Sequence, residues 1–514
     1  MKRSMNSPFT GVMNLQFRRI NQKSVDIKSK CMLSHKLFIG AVGVIPVIAS
    51  GSVLPSNSEN RENTGYPADN MHPNIILILA DDLGYGDLGG YYGGQAKTPH
   101  LSRLAQEGML FTDFHSNGPT SSPTRVALLT GRYQQRSGIE RYLLTRWESP
   151  GQGRIKGIGS DENKDEVTMA EYLRKAGYVT GIFGKWHLGN HLSSNPVFHG
   201  FDEFRGLTGG CGDYFSKLDR FGYPDWWHNE KLVFQEGYTT NVITENSVRF
   251  IKENRNNPFF LYISHLAIHF PWQTPEDDDL ETRREGEEFT SNYPGPLSKL
   301  GPHSPEKIPE TLIEMIEHLD ESVGLIIETL REQGLDKNTL VFFTSDNGGY
   351  LNYPVSGDIW PEVGSNGPLR GQKTQVYEGG HRVPAIAWWP GRIPALSVTG
   401  ETVMTFDLLP TFMDLSGIKI PSQGPNAIDG VSILPLLLDG ESLEPRTLFW
   451  RAGDQKAVRS GYWKLVISEK NSPAELYNLA DDTGESFDLS DQYPEIVRQL
   501  KKELEIWEKD VDRK

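Results

Sequence analysis

Residues 74–82 read NIILILADD: seven apolar or nearly apolar positions closed by two adjacent carboxylates. So short a run, rich in β-branched residues, suits a strand buried on both faces of a parallel sheet. Four further runs have the same character: YVTGIFG (178–184), FFLYIS (259–264), LVFFTS (340–345) and PAIAWW (384–389). Between them lie amphipathic stretches with helical spacing, HLSRLAQEGM (100–109), TMAEYLRKAGY (168–178) and PETLIEMIEHLDESVGLIIETLREQG (309–334). The alternation predicts an α/β fold, a mainly parallel central sheet sandwiched by helices. From about residue 430 the pattern changes to short aromatic strands, TLFWRAG, KAVRSGYWKLVIS and AELYNL, followed by a charged helix from Pro494. That tail predicts a smaller antiparallel sheet with a terminal helix packed on it. The expected organisation is residues 1–52 as an N-terminal extension and signal peptide, 53–72 as a linker, 73–429 as the main domain and 430–514 as an α+β subdomain.

Charge and cysteine usage bound the function. The 514-residue chain carries −15, but its first 36 residues hold eight Lys/Arg and one Asp, so the remainder carries −22, the −15 of the chain less the +7 of that segment. An acidic body argues against nucleic acid as a partner. It leaves room for an anionic substrate held by a local cation cluster, because screening acts over about 8 Å. The apolar run from Leu37 to about Ala49 follows a basic flank and precedes small residues. This is the layout of a secretory signal and is too short for a transmembrane anchor, so export is expected. Met32 is placed to be the true start. Cys31 would leave with the signal, and Cys211 alone cannot form an internal disulfide; it is expected as a buried apolar thiol.

Polar residues follow directly on four of the apolar runs: Asp81-Asp82, Lys185-Trp186-His187, His265 with His269, and Asp346-Asn347. In open α/β sheets the carboxyl ends of the strands are where ligands bind, so these residues are expected around one pocket. Asp81, Asp82, Asp346 and Asn347 are hard oxygen ligands suited to calcium or magnesium. Lys185, His187, His269 and Arg125 suit the several oxygens of a sulfate or phosphate. His265 and His269 are four apart, but they follow a strand, lack the Glu of HExxH, and precede Pro271, which argues against a zinc peptidase. His265 reads equally as a structural donor at the strand end. Lys373, in the Gly-rich stretch GPLRGQKTQVYEGGHRVP (367–384), is placed to reach an anion, or to be an exposed loop lysine. In GPTSSPTRVALLTGR (118–132), Ser121 reads as a helix N-cap ahead of Pro123, with Arg125 one turn further on. The segment 209–233 carries Tyr214, Phe215, Trp226, Trp227 and His228, aromatic and polar groups suited to sugar rings.

Taken together, SSPTRVALLTGR, NIILILADDLGYGDLGGYYGG, GKWHLG, FFLYISHLAIHFP, FFTSDNGG and LRGQKTQVYEGGHRVP closely resemble, in order, the motifs of the sulfatase family in the alkaline-phosphatase-like superfamily. The resemblance spans about residues 73–470. It implies that Ser121 is converted to formylglycine, an aldehyde whose hydrate attacks sulfur with one hydroxyl and uses the other to expel sulfate. It implies Asp81, Asp82, Asp346 and Asn347 as ligands of a calcium ion, magnesium being the lesser candidate, with residue 121 completing the shell. Arg125 and Lys185 would hold the formylglycine, His187 would assist collapse of the sulfated intermediate, and His269 and Lys373 would bind sulfate, one of them protonating the departing oxygen. Serine rather than cysteine at 121 implies the bacterial subset matured by a radical S-adenosylmethionine enzyme, and hence an anaerobic or facultative source. Tyr214, Trp226, Trp227 and His228 are the expected substrate-binding residues. The expected substrate is a sulfated glycan, cleaved exo at galactose or N-acetylgalactosamine sulfate. A phosphodiesterase or phosphonate monoester hydrolase of the same superfamily, and a non-catalytic glycan-binding homologue, are the alternatives.

Overall fold

The structure, a computed structural model, describes residues 72–143, 157–159, 166–279, 303, 305–355, 358–361 and 363–512. The expected signal peptide and all of the expected linker but residue 72 lie outside the described residues. Among the described residues no helix is long and apolar enough to cross a membrane.

A ten-stranded sheet forms the centre, ordered Ser397–Thr399, Met109–Phe111, Ala385–Trp388, Thr339–Ser345, Asn74–Ala80, Phe259–Ser264, Val179–Lys185, Glu203–Leu207, Trp227–His228 and Lys231–Leu232. The strand Asn74–Ala80 lies at its middle, parallel to both neighbours, with Ile76 opposite Leu261 on one side and Val341 on the other. Its seven residues are all buried. Alternation of side chains divides them between two layers. Ile76 and Ile78 share a core with Val242, Phe250, Leu312 and Leu319, from the helices Thr239–Glu253 and Ile308–Glu332. Ile75, Leu77 and Leu79 face the other way, onto Val126, Leu128, Met169 and Phe412, from the helices Ser121–Thr130, Met169–Lys175 and Leu408–Leu415. A strand packed on both faces has no polar side, which is why the run carries no alternation.

Two features depart from the sequence expectation. PAIAWW forms the strand Ala385–Trp388, but it runs antiparallel to both of its neighbours. Burial on both faces sets its composition, and composition carries no strand direction. Ser121 is the first residue of its helix and not the cap: Thr120 holds the cap position in extended backbone and makes no side-chain cap bond. Thr124 instead ties the helix to the segment before it, accepting from the Gly118 N–H at 3.1 Å and donating to the Gly118 carbonyl at 2.8 Å. The helix stops at Gly131, whose φ of 66° suits glycine and whose N–H returns to the Ala127 carbonyl.

The C-terminal strands Thr447–Ala452, Gln455–Ser460, Trp463–Ile467 and Glu475–Asn478 form an antiparallel sheet in sequence order. The helix Pro494–Val511 packs on it through Leu500, Leu504, Trp507 and Val511, a stripe at helical spacing. This sheet lies in the same compact unit, residues 69–514, as the large one. Trp450 joins the two: its ring stacks on His381 at 4.3 Å, and its indole N–H donates to the Ser116 carbonyl at 2.9 Å.

Candidate active site

The carboxyl ends of the strands Asn74–Ala80, Val179–Lys185, Phe259–Ser264 and Thr339–Ser345 converge on the first turn of the Ser121 helix. Ser121 is 1% exposed. Its hydroxyl lies 3.3 Å from Asp81 Oδ1, 3.4 Å from Asn347 Oδ1 and 3.4 Å from the Lys185 ammonium. Lys185 also donates to Asp81, and Lys373 donates to Asp82. His269 Nε2 lies 3.8 Å from Asp82 Oδ2. The Asn347 amide nitrogen is used elsewhere, donating to Asp82 Oδ1 at 2.8 Å and to the Gly348 carbonyl at 2.9 Å. That orientation turns the amide oxygen toward Ser121.

Arg125 is completely buried and ties three strand ends together. Its Nε lies 2.9 Å and its Nη2 2.8 Å from Asp346 Oδ2, and Nη1 donates to the Lys185 carbonyl at 3.1 Å and to the Ser264 hydroxyl. Among the described contacts it reaches Asp346 rather than the Ser121 side chain, so here it braces the carboxylates behind residue 121. Asp82 and His187 both have positive φ, 63° and 58°. Left-handed backbone costs a non-glycine residue about 1–2 kcal/mol, and such outliers gather where a side chain must be aimed.

Burial and local charge set the protonation of these groups. Burial pushes the Lys185 ammonium down, against the pull of Asp81. For Lys373 burial is again the largest single effect and acts downward, but Asp82 together with Tyr350, Asp81 and Asp346 outweighs it and the group is pushed up. His187 and His269 are both held well below the usual imidazole range, first by burial and then by neighbouring cations, Lys185 foremost. His187 Nε2 lies 2.9 Å from the Leu143 carbonyl and so carries its proton, leaving Nδ1 as the basic nitrogen, buried with no hydrogen-bond partner among the described residues. Gly210 is required beside it, because a Cβ there would lie 2.4 Å from that ring. His269 Nδ1 donates to the Phe270 carbonyl at 2.7 Å, which turns Nε2 toward Asp82.

Three buried carboxylates and one amide oxygen, drawn together against Arg125, Lys185 and Lys373, form a donor set of hard oxygens. This set fits a divalent cation of the calcium or magnesium type. A second grouping, His115, Glu378 and His381, does not fit a metal. Its histidines bond each other through Nδ1 at 2.9 Å, and Lys464 occupies Glu378 at 2.8 Å and His381 Nε2 at 3.2 Å.

A cavity of about 190 Å³ opens over the cluster, lined by Ser121, His187, His269 and Lys373 together with Tyr142, Cys211, Asp219, Arg220, Phe270 and Tyr350. A larger apolar cavity of about 430 Å³, at the sheet edge near Tyr91 and Val398, is lined by no acidic or basic side chain. The four residues expected to bind substrate do not line the site. Tyr214 is completely buried, stacks on Tyr238 and donates from its hydroxyl to the His269 carbonyl at 3.0 Å, supporting the site from beneath. Trp226 lines a separate cavity, Trp227 donates to Asp225, and His228 is exposed on a strand near the sheet edge. Aromatic content identified the right loop but not which side chains turn into the cavity. Asp219 and Arg220, from the same loop, line it alongside Gly210 and Cys211, and the signal for the pair was an Asp opening a tight turn. His265 turns away from the cluster, with Nε2 3.3 Å from the Ser322 hydroxyl of a packing helix, and is structural.

A family model described as Sulfatase matches residues 73–418. The chain belongs to the sulfatase family. A second model, described as N-sulphoglucosamine sulphohydrolase, C-terminal, matches residues 371–510 of this sulfatase. The chain is 36% identical over 454 residues to N-acetylgalactosamine-6-sulfatase of Rattus norvegicus, covering 85% of this sulfatase and 76% of the relative. Arylsulfatase A of Bos taurus is 33% identical over 500 residues, covering 86% and 88%. Among solved structures, Ps i-CgsB in complex with k-i-k-neocarrahexaose superposes with a TM-score of 0.70 at 30% identity, covering 85% of this chain and 93% of that one. The protein is thus a sulfuric ester hydrolase, and its relatives support sulfated carbohydrate as the substrate class.

Proposed function

We propose that this sulfatase removes sulfate from the terminal residue of a sulfated glycan, of galactose or N-acetylgalactosamine type, through a nucleophile made from Ser121. The observation that carries the reading is the position of the Ser121 hydroxyl, within 3.4 Å of a carboxylate, an amide oxygen and an ammonium at the floor of a small cavity. A plain serine there is a poor nucleophile: its one basic contact is the Asp81 carboxylate at 3.3 Å, which already accepts from Lys185 and is far too weak a base to ionise a hydroxyl. Conversion to formylglycine by a radical maturase supplies a hydrated aldehyde, one hydroxyl to attack sulfur and a second to release it. Asp81, Asp82, Asp346 and Asn347 would hold calcium, in preference to magnesium, and the ion supplies charge stabilisation to the sulfate oxygens. Lys185 holds residue 121 against Asp81, and Arg125 fixes Asp346 behind it. Lys373 and His269 line the cavity where they meet the sulfate and the departing oxygen. His187 presents an unprotonated Nδ1 to take the proton when the sulfated intermediate collapses. The cavity of about 190 Å³ receives the sulfated terminal residue in this reading, and export to the periplasm would place the enzyme where glycan fragments arrive.

The test is sulfate release by matured protein from a panel of defined sulfated mono- and disaccharides, with aryl phosphate and a phosphodiester at equal concentration. Preferential release from terminal galactose-type sulfates is expected. Faster turnover of the phosphorus esters would overturn the assignment of substrate.

A further inference from the structure

Resting on the reading of this site as a carbohydrate sulfatase, we propose that Asp219 and Arg220 bind hydroxyls of the sulfated sugar ring and thereby set which sugar is accepted. The pair stands on a loop built to hold it still. Asp225 clamps the loop's base, accepting from the Thr208 N–H, the Thr208 hydroxyl, the Gly209 N–H and the Trp227 indole at 3.1, 2.7, 2.7 and 2.7 Å. Bridges between Gly212 and Asp219 and between Leu218 and Pro224 narrow the loop toward its tip. There the Asp219 N–H donates to the Tyr223 carbonyl at 2.7 Å, and Asp219 Oδ1 accepts from the N–H groups of Phe221 and Tyr223 at 2.8 and 3.0 Å.

Those bonds consume one carboxylate oxygen. Oδ2 has no protein hydrogen bond among the described residues, although Asp219 is only 2% exposed and lines the cavity. Burial pushes the Asp219 carboxyl up to about 7, and in either state the unused oxygen offers a hydrogen bond to a ligand in the cavity, accepting when ionised and donating when protonated. Arg220 lies beside it, with its guanidinium carbon 5.9 Å from the centre of the Phe270 ring. Phe270 follows His269 in the chain and its ring contacts that imidazole at 4.2 Å between centres, which places the guanidinium near the catalytic end of the cavity. Phe270, Tyr350 and Tyr142 add aromatic walls to the same space.

The chemistry of this wall suits a sugar hydroxyl and not the sulfate. Lys185 and Lys373 already gather at the sulfate end and draw the anion there, while Asp219 offers hydrogen bonds to hydroxyls on its own side of the cavity, which favours one orientation of the substrate. An acceptor next to a planar donor fork pairs with adjacent hydroxyls, while the aromatic walls take the C–H faces of the ring.

The experiment compares kcat/KM for 6-sulfated N-acetylgalactosamine with kcat/KM for 4-nitrophenyl sulfate, which has no sugar hydroxyls, using matured parent, Asp219→Asn and Arg220→Met. Each variant is expected to lower the sugar-to-aryl ratio by about 10- to 100-fold, the worth of a hydrogen bond to a charged group. Substrates lacking one hydroxyl at a time should identify a position whose removal abolishes the difference between parent and variant. Arg220→Met leaves the hydrogen bonds of the Asp219 turn in place, so it reports even where Asp219→Asn unsettles the loop. A ratio that stays constant, whether both activities fall together or neither falls, would overturn the inference while leaving the carbohydrate sulfatase intact. Turnover of the aryl ester with none of any sulfated sugar by the parent would overturn both.

Discussion

Lys464→Met tests how the C-terminal sheet supports the catalytic unit. Lys464 is completely buried and donates to Glu378 at 2.8 Å, with Glu485 at 2.9 Å. Glu378 retains Arg382 at 3.3 Å, but Glu485 loses its charged partner and keeps only the Glu378 N–H at 2.7 Å. Removing one member of a buried ion pair costs about 3–5 kcal/mol, because the remaining charge stays desolvated. Unfolding entropy of about 2.1 cal/mol/K per residue, taken over residues 69–514, amounts to ~0.9 kcal/mol/K, so the melting temperature should fall by ~3–5 °C. The loss should depend on pH. Burial pushes the Glu485 carboxyl up to about 7 against the pull of Lys464. A carboxyl raised on folding favours the folded state increasingly as pH falls below its folded value, since the folded chain then binds the proton that the unfolded chain still lacks. At pH 5.5 Glu485 is protonated and needs no cation, so the deficit should shrink; at pH 8 it should be full. Differential scanning at one fixed scan rate, at both pH values, is the assay. Equal deficits at pH 5.5 and 8, or none at either, would refute the assignment of Lys464 as the neutralising partner.

Further outcomes follow from the site. Lys373→Ala and His269→Ala should each lower kcat by about 10²–10³-fold, His269→Ala with little change in melting temperature and Lys373→Ala with a loss, because it takes that cation from the buried Asp82 carboxylate, read by sulfate release and calorimetry on the same preparations. Chelation should abolish activity, and calcium should restore more of it than magnesium at equal concentration, measured by adding each ion back to stripped enzyme. Burial holds His265 neutral, with its pKa pushed down to about 3. A base depressed on folding adds stability that is present above its unfolded value of about 6.5 and is lost as pH falls toward its folded one, at ~1.4 kcal/mol per pH unit. His265→Gln should therefore flatten the decline in denaturant stability between pH 7 and pH 5, and an unchanged decline would show that other groups set it.

Much of the framework was legible because the relevant signals are local. NIILILA and FFLYIS coincide with strands at their exact ends, and the carboxylates and asparagine behind the apolar runs converge with His187 and His269, though not His265, because parallel strands bring their carboxyl ends together. What sequence could not supply depends on which way a side chain turns. Met109–Phe111 and Ser397–Thr399 are three-residue strands, too short to show a period. Tyr214 and Trp226 looked like sugar platforms, but both are buried, while Asp219 and Arg220 of the same loop line the cavity. The reach of the Arg125 guanidinium to Asp346, a contact between residues 221 positions apart, likewise has no local signal.

The most direct measurement pairs the mass of the peptide containing residue 121 with sulfate release from a terminal galactose-type sulfate. It uses protein made with and without a radical maturase, and Ser121→Ala made with it. Activity confined to the preparation in which residue 121 has lost two hydrogens relative to serine is the expected result. Full activity from protein carrying unmodified Ser121 would contradict the proposed nucleophile.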